Sequence, residues 1–287
     1  MATTVDRADA GPVSWALLLA LDAPLVAGSW YAACAGALAE AVRPACAAVL
    51  GLSVWLVYSA DRWLDGRRLH RPHAASARHR LAAGGGRLPV AVWACVLALD
   101  VVVALRGLSA EELRVGYLVL AGAALYLAAV HLPGPARWWV PKEALVGILF
   151  SAGVSAFVWP ALTPASRTGL VAFALCFAAV CWLDCQLVSL WERRVDVAQG
   201  LATASGGLGR RQVLVLLAVA AVAILLVGRA WLPVGLTAAL LLAVAWLLLL
   251  TAATEGSQPP RRGRQLVDLG LAAPALLLLA IVRPVVV

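Results

Sequence analysis

The sequence is poor in charge. Asp, Glu, Lys and Arg make up 13% of its 287 residues, where a soluble domain carries about 25%. That shortage excludes an ordinary soluble globular domain. Lysine is nearly missing: Lys142 stands alone beside 22 arginines. This bias, with abundant Ala, Gly and Leu, fits a GC-rich bacterial genome. No long polar linker interrupts the chain, so residues 1–287 read as a single transmembrane domain. No C-x-x-C pair occurs among the six cysteines, Cys34, Cys46, Cys95, Cys176, Cys181 and Cys185. All lie in or beside apolar stretches and read as small packing residues. A basic leader is also missing, since residues 1–11 set Asp6 and Asp9 against Arg7, and Asp22 breaks the apolar run behind them. Despite Ala37-Leu38-Ala39, which resembles a signal-peptidase site, the first apolar segment therefore reads as a retained span.

What is abundant is hydrophobic length. Hydrophobic residues make up 63% of the chain, and the mean hydropathy is +0.90. Apolar runs recur that match the roughly 18 or more residues needed to cross a hydrocarbon core about 30 Å thick. The short alternating segments of a membrane β-barrel do not occur. The pattern predicts an all-α polytopic membrane protein with about nine spans, near 12–39, 44–63, 88–107, 113–132, 141–163, 168–191, 212–231, 233–253 and 265–286. Pro and Gly punctuate the joints, as at Pro44, Pro133-Gly134-Pro135, Pro160, Pro164 and Pro233. A count of nine requires a tight turn between Arg229 and Pro233.

The net charge of +8 does not point to nucleic acid, because the basic residues sit in loops between spans. With the N-terminus inside, 17 of 23 Lys and Arg fall on the cytoplasmic side and 6 on the other. That split is a positive-inside signal, and with the GC-rich compositional bias the expected location is a bacterial inner membrane. Tryptophan is plentiful, at 12 residues, and Trp63, Trp138, Trp139, Trp159 and Trp231 sit near predicted interfaces, as an aromatic belt does.

Two loops on the cytoplasmic side carry acids, near 58–87 and 184–211. Asp61 and Asp65, four residues apart, share a helical face, and Asp184, Glu192 and Asp196 share another. Like charges on one face repel, and a divalent cation relieves the repulsion. Mg²⁺ takes one or two carboxylates plus waters and substrate phosphates, so two such clusters followed by arginines suit a metal-bridged diphosphate. The plainer alternative is a set of rim ion pairs, Asp61–Arg62, Asp65–Arg68 and Glu192–Arg193.

The span count and the two acidic motifs resemble the UbiA superfamily of intramembrane prenyltransferases. The family's first motif, N-D-x-x-D-x-x-x-D, is matched at Asp61 and Asp65, with Val57 and Tyr58 in place of Asn-Asp. Arg71-Pro72-His73 resembles the R-P-H that follows it. The second motif, D-x-x-x-D and then glycine, resembles Glu192 to Asp196 with Gly200. Lys142 to Phe150 resembles the family's basic residue ahead of a Gly-rich apolar helix. The resemblance implies a helical bundle around a central cavity in which Mg²⁺, held by Asp61, Asp65, Glu192 and Asp196, binds a prenyl diphosphate. Ionisation of its C–O bond would give an allylic cation for a lipophilic, often aromatic, acceptor to attack. Tyr58, Arg67, Arg68, Lys142, Asp184, Arg193 and Arg194 are the substrate-binding candidates, with Lys142 and Arg193 foremost because they sit nearest helix ends.

Other residues read both ways. His70, His73 and His79 fall in a basic loop, as solvated histidines or proton carriers. Asp22 either lines the chamber or accepts a hydrogen bond, while Asp100 and Asp268 read as rim or packing acids, although an intramembrane acid suggests function. Trp55, Trp182 and Trp191 lie on the motif helices, suited to lipid packing or to cation–π contact. Two further functions remain open: a UbiA-like isoprenoid-binding protein without catalysis, and a proton-coupled transporter, which would place its acids near mid-membrane.

Overall fold

A computed structural model describes residues 21–39, 41–66, 87–131, 142–198, 208–254, 263–282 and 285–286. These form nine α-helices: α1 Asp22–Leu38, α2 Pro44–Gly66, α3 Arg87–Gly107, α4 Ala110–His131, α5 Lys142–Ala156, α6 Pro164–Ala198, α7 Arg210–Trp231, α8 Val234–Ala253 and α9 Gly263–Val282. Each coincides with one predicted span. Two two-residue strands, β1 Ala41–Val42 and β2 Val285–Val286, and a 3₁₀ turn Trp159–Ala161 complete the described residues.

Six of the helices, α2, α3, α4, α6, α7 and α8, are long and apolar enough to cross a membrane. By length and composition alone, the described residues thus hold six candidate spans where the sequence predicts nine. α1 has 17 residues and starts after its N-cap Leu21, and residues 12–20 of its predicted span lie outside the described residues. The apolar part of α9 is Leu266–Ile281. For α5 the cause is local. It stops at Ala156 after 15 residues, a length of about 22 Å at 1.5 Å per residue. Phe157 and Val158 turn into the 3₁₀ segment, and Pro160 and Pro164 bias the residues before them away from helix. Conversely, α6 runs 35 residues, about 52 Å, so it outruns any bilayer core of about 30 Å. Its last turns carry Glu192 to Asp196. The predicted tight turn is present: only Leu232 and Pro233 separate α7 from α8.

The helices alternate in direction. His131 at the end of α4 meets Asp61 near the end of α2. Glu143 at the start of α5 accepts from Ser189 near the end of α6, and Arg210 at the start of α7 bonds carbonyls of Thr251 and Ala252 that close α8. One end of the bundle therefore gathers the starts of α1, α3, α5, α7 and α9 and the ends of α2, α4, α6 and α8. At the other end β1, just after α1, pairs in parallel with β2, just after α9, with Ala41 opposite Val285. The first and last helices thus run the same way and close the bundle.

Aromatic packing holds the centre. Trp30 of α1 lies 4.7 Å, centroid to centroid, from Phe177 of α6, which stacks on Phe173 at 5.5 Å. The Trp30 indole also donates to the Leu271 carbonyl of α9 at 2.8 Å. Leu236, Leu240 and Leu247 of α8 are fully buried beside this cluster. The outer helices point apolar side chains outward, for example Leu99 and Leu105 on α3, Leu118 and Leu125 on α4, and Val215 and Leu226 on α7. Apolar side chains both inside and out are what a bundle in lipid requires.

Candidate functional site

The site lies where α2, α4 and α5 meet at one end of the bundle. The i, i+4 spacing of Asp61 and Asp65 puts both carboxylates on the face of α2 turned toward α4 and α5. The Lys142 ammonium, from the first residue of α5, sits between them, 2.9 Å from Asp65 Oδ2 and 3.4 Å from Asp61 Oδ2. His131 Nε2, from the last residue of α4, lies 2.9 Å from Asp61 Oδ1, and its Nδ1 lies 3.9 Å from Asp65 Oδ1. The Tyr126 hydroxyl donates to Asp61 Oδ1 at 3.1 Å. Each of the four carboxylate oxygens therefore faces a cationic or donor group.

Burial makes this network consequential. The His131 and Asp61 side chains are 6% and 15% exposed, so water screens their interaction weakly, and an unpaired carboxylate here would be costly. Lys142 and Asp65 are more exposed, at 29% and 27%. The repulsion expected between Asp61 and Asp65 is relieved by this chain's own Lys142, which lies between them. A Mg²⁺ ion at this pair would have to displace the ammonium or share its place. Among the described residues no group of three or more His, Cys, Asp and Glu is arranged to hold a metal ion.

The start of α5 also reaches the second motif helix. Glu143, next to Lys142, is buried and accepts a hydrogen bond from Ser189 of α6 at 3.3 Å. Ser189 lies three residues before Glu192 on the same helix. A close crossing fixes this arrangement. A Cβ added at Gly147 of α5 would lie 2.8 Å from the Ala178 carbonyl oxygen and 2.9 Å from the Trp182 nitrogen of α6. Gly147 thus serves the close approach of α5 to α6. Asp184 is half-buried on α6, between that crossing and Glu192.

Other expectations are redistributed. Arg62 does not pair with Asp61: it lies 3.9 Å from Asp22 of α1, and its guanidinium stacks 3.9 Å over the Tyr58 ring. Tyr58 therefore supports Arg62, and Asp22 ties α1 to α2 as an ion-pair partner. Asp100 is a mid-helix packing acid, accepting from Ser53 of α2 at 2.7 Å. The side chains of Glu192, Arg193, Arg194 and Asp196 lie outside the described residues, although their backbone belongs to α6. Arg67, Arg68, His70, His73, His79 and Gly200 also lie outside them. Whether the two acidic pairs face each other is therefore not among the described contacts.

Two members of the cluster escaped the sequence reading. Tyr126 and His131 lie in and at the end of an apolar helix with no motif around them. One signal was available: His131 precedes Pro133-Gly134-Pro135 at the end of the fourth span, on the same predicted side as both acidic motifs. The far end of the bundle holds a separate knot. There Arg43 pairs with Glu112 and donates to the Gly107 carbonyl at 3.0 Å, while Glu112 caps α4 through the Ser109 amide at 2.7 Å. Compared with family models, curated proteins and solved structures, the chain matches none of them.

Proposed function

We propose that this protein is a bacterial inner-membrane prenyltransferase of the UbiA type, moving a polyprenyl group from a prenyl diphosphate to a lipophilic acceptor. One observation carries the reading. The Lys142-Glu143 pair at the start of α5 touches both motif helices, α2 through Asp61 and Asp65 and α6 through Ser189. The helices that carry the two sequence motifs are thus joined at one end of the bundle through the start of α5. In this reading all nine helices are spans, and the arginine-rich end is cytoplasmic.

The diphosphate would bind beside Lys142, whose charge and that of the arginines following each motif in sequence would offset its own. As the C–O bond breaks, its electron pair leaves with the diphosphate oxygen. The acceptor then bonds to the allylic carbon and loses a proton. The apolar interior holds the polyprenyl chain. The first acidic pair, engaged by Lys142, His131 and Tyr126, does not present an open ligand set for Mg²⁺. The metal implied by the resemblance is accordingly proposed only for Glu192 and Asp196.

The test is diphosphate release from prenyl diphosphates in purified membranes, with wild type against Lys142→Ala and Asp196→Ala. Each substitution is expected to lower turnover by about 100-fold, the scale of losing one charge-stabilising group. Binding without turnover, across prenyl lengths and acceptors, would favour the second reading, an isoprenoid-binding protein without catalysis. The closed pairing of the first motif favours that reading. A proton-coupled transporter has less support, because Asp22, Asp61 and Asp65 share one end of the bundle and Asp100 is engaged by Ser53.

A further inference from the structure

Three elements converge on the Asp61–Asp65 pair, and all three bring donors or cations. α2 supplies the two carboxylates. α4 ends in His131, with Tyr126 on the same side. α5 begins with Lys142, so the positive end of that helix also lies here. The ammonium is within 3.4 Å of one carboxylate and 2.9 Å of the other, which is the bridging position a divalent ion would need. Of 23 basic residues this one alone is lysine. The residue type matters, because an ammonium is a compact point charge with three donors that fits between two carboxylates, whereas a guanidinium is a planar fork. The residues toward the start of α2 point the same way. Val57 brings no oxygen ligand, and the Tyr58 ring is covered by Arg62.

We propose that Lys142 is a built-in cation that takes the role of a divalent ion at the first acidic motif, so that Asp61 and Asp65 hold no Mg²⁺. Adding Mg²⁺ while Lys142 stays in place would leave the pocket with surplus positive charge. Expelling Lys142 would break its contacts with both carboxylates at once. An anionic ligand reaching this side of the site meets an ammonium instead of a metal. The relevance of that exchange to a diphosphate rests on the function proposed above; the exchange itself rests on the cluster.

The experiment uses the full chain in nanodiscs, with Mn²⁺ alone as the probe. Bound ions are counted by electron paramagnetic resonance, and thermal unfolding is followed with and without Mg²⁺. Wild type and Asp65→Asn are expected to bind the same number of Mn²⁺ ions. Lys142→Met is expected to gain one ion and to become more heat-stable in Mg²⁺, since a ligand that binds only the folded state raises its stability. Asp65→Asn placed on Lys142→Met should abolish both gains. An ion lost from the wild type on Asp65→Asn, or no ion gained by a folded Lys142→Met, overturns the proposal. If Lys142→Met does not fold, wild type against Asp65→Asn and Asp61→Asn decides alone. Prenyl turnover is not read here. Its absence elsewhere would sink the transferase and leave Lys142 as the internal cation, while an Asp65-dependent Mn²⁺ ion would do the reverse.

Discussion

Tyr126, His131 and Lys142 set how far Asp61 and Asp65 can act as free acids. Tyr126→Phe removes one hydrogen bond to a buried carboxylate, and about 1.5–3 kcal/mol of stability should go with it. Chemical unfolding in detergent reads the loss, and an unchanged midpoint would mean that the Tyr126–Asp61 contact contributes nothing. Removing the ammonium has a larger reach, because two carboxylates lose their partner together. Breaking a fully buried pair costs about 3–5 kcal/mol, and the partial exposure of Lys142 brings the expected cost of Lys142→Met down to about 1–3 kcal/mol. Asp65→Asn in the same chain should restore part of it. Lys142→Arg is not expected to rescue, since a guanidinium fork does not fit where an ammonium bridges.

Helix contacts depend on where small residues stand. Gly147 lets α5 approach the α6 backbone, and backbone atoms cannot move aside as a side-chain tip can. Gly147→Ala should therefore cost about 1–3 kcal/mol through overpacking, with loss of the Glu143–Ser189 register. Gly51 of α2 has nothing within 4 Å of its would-be Cβ, so Gly51→Ala should be neutral or stabilise by about 0.5–1 kcal/mol. Melting temperatures of the two variants in one detergent separate these outcomes, and equal shifts would sink the close-crossing account. Tryptophan works at the same scale. Trp30, Trp93 and Trp246 each donate an indole N–H to a carbonyl of another helix, so part of the tryptophan content serves pinning between helices rather than an interfacial belt.

For the bundle as a whole, the parallel pairing of β1 with β2 constrains the count. Helices that alternate in direction can begin and end parallel only if their number is odd, as it is for the nine described helices. Cysteines introduced at Glu111 and Gln212, exposed positions near opposite ends of the bundle, should therefore label from opposite sides. In intact cells a membrane-impermeant maleimide is expected to reach Glu111→Cys, and to reach Gln212→Cys only after permeabilisation. Labelling of both from one side would contradict the alternation, and the reverse order would invert the proposed orientation.

Much of this arrangement was legible in the sequence because its causes are local. Hydropathy over a span's length, prolines and glycines at joints, and arginines between spans are properties of short segments. They located all nine helices and the turn at Leu232-Pro233, and they put Asp61, Asp65 and Lys142 at helix ends. They failed at α5, where Pro160 near the end of the predicted span and Pro164 just beyond it shorten the helix, and at Arg62, whose partner proved to be Asp22 rather than its neighbour Asp61. They also could not find Tyr126 and His131, because no spacing rule links a residue on α4 to an acid on α2 about 65–70 positions earlier. The sequence by itself determined a helical membrane protein with its charge gathered at one end. Only the tertiary structure decided that a lone lysine, a histidine and a tyrosine engage the acidic pair. Which faces of three helices turn toward each other depends on packing at sites such as Gly147, and no single segment encodes that rotation.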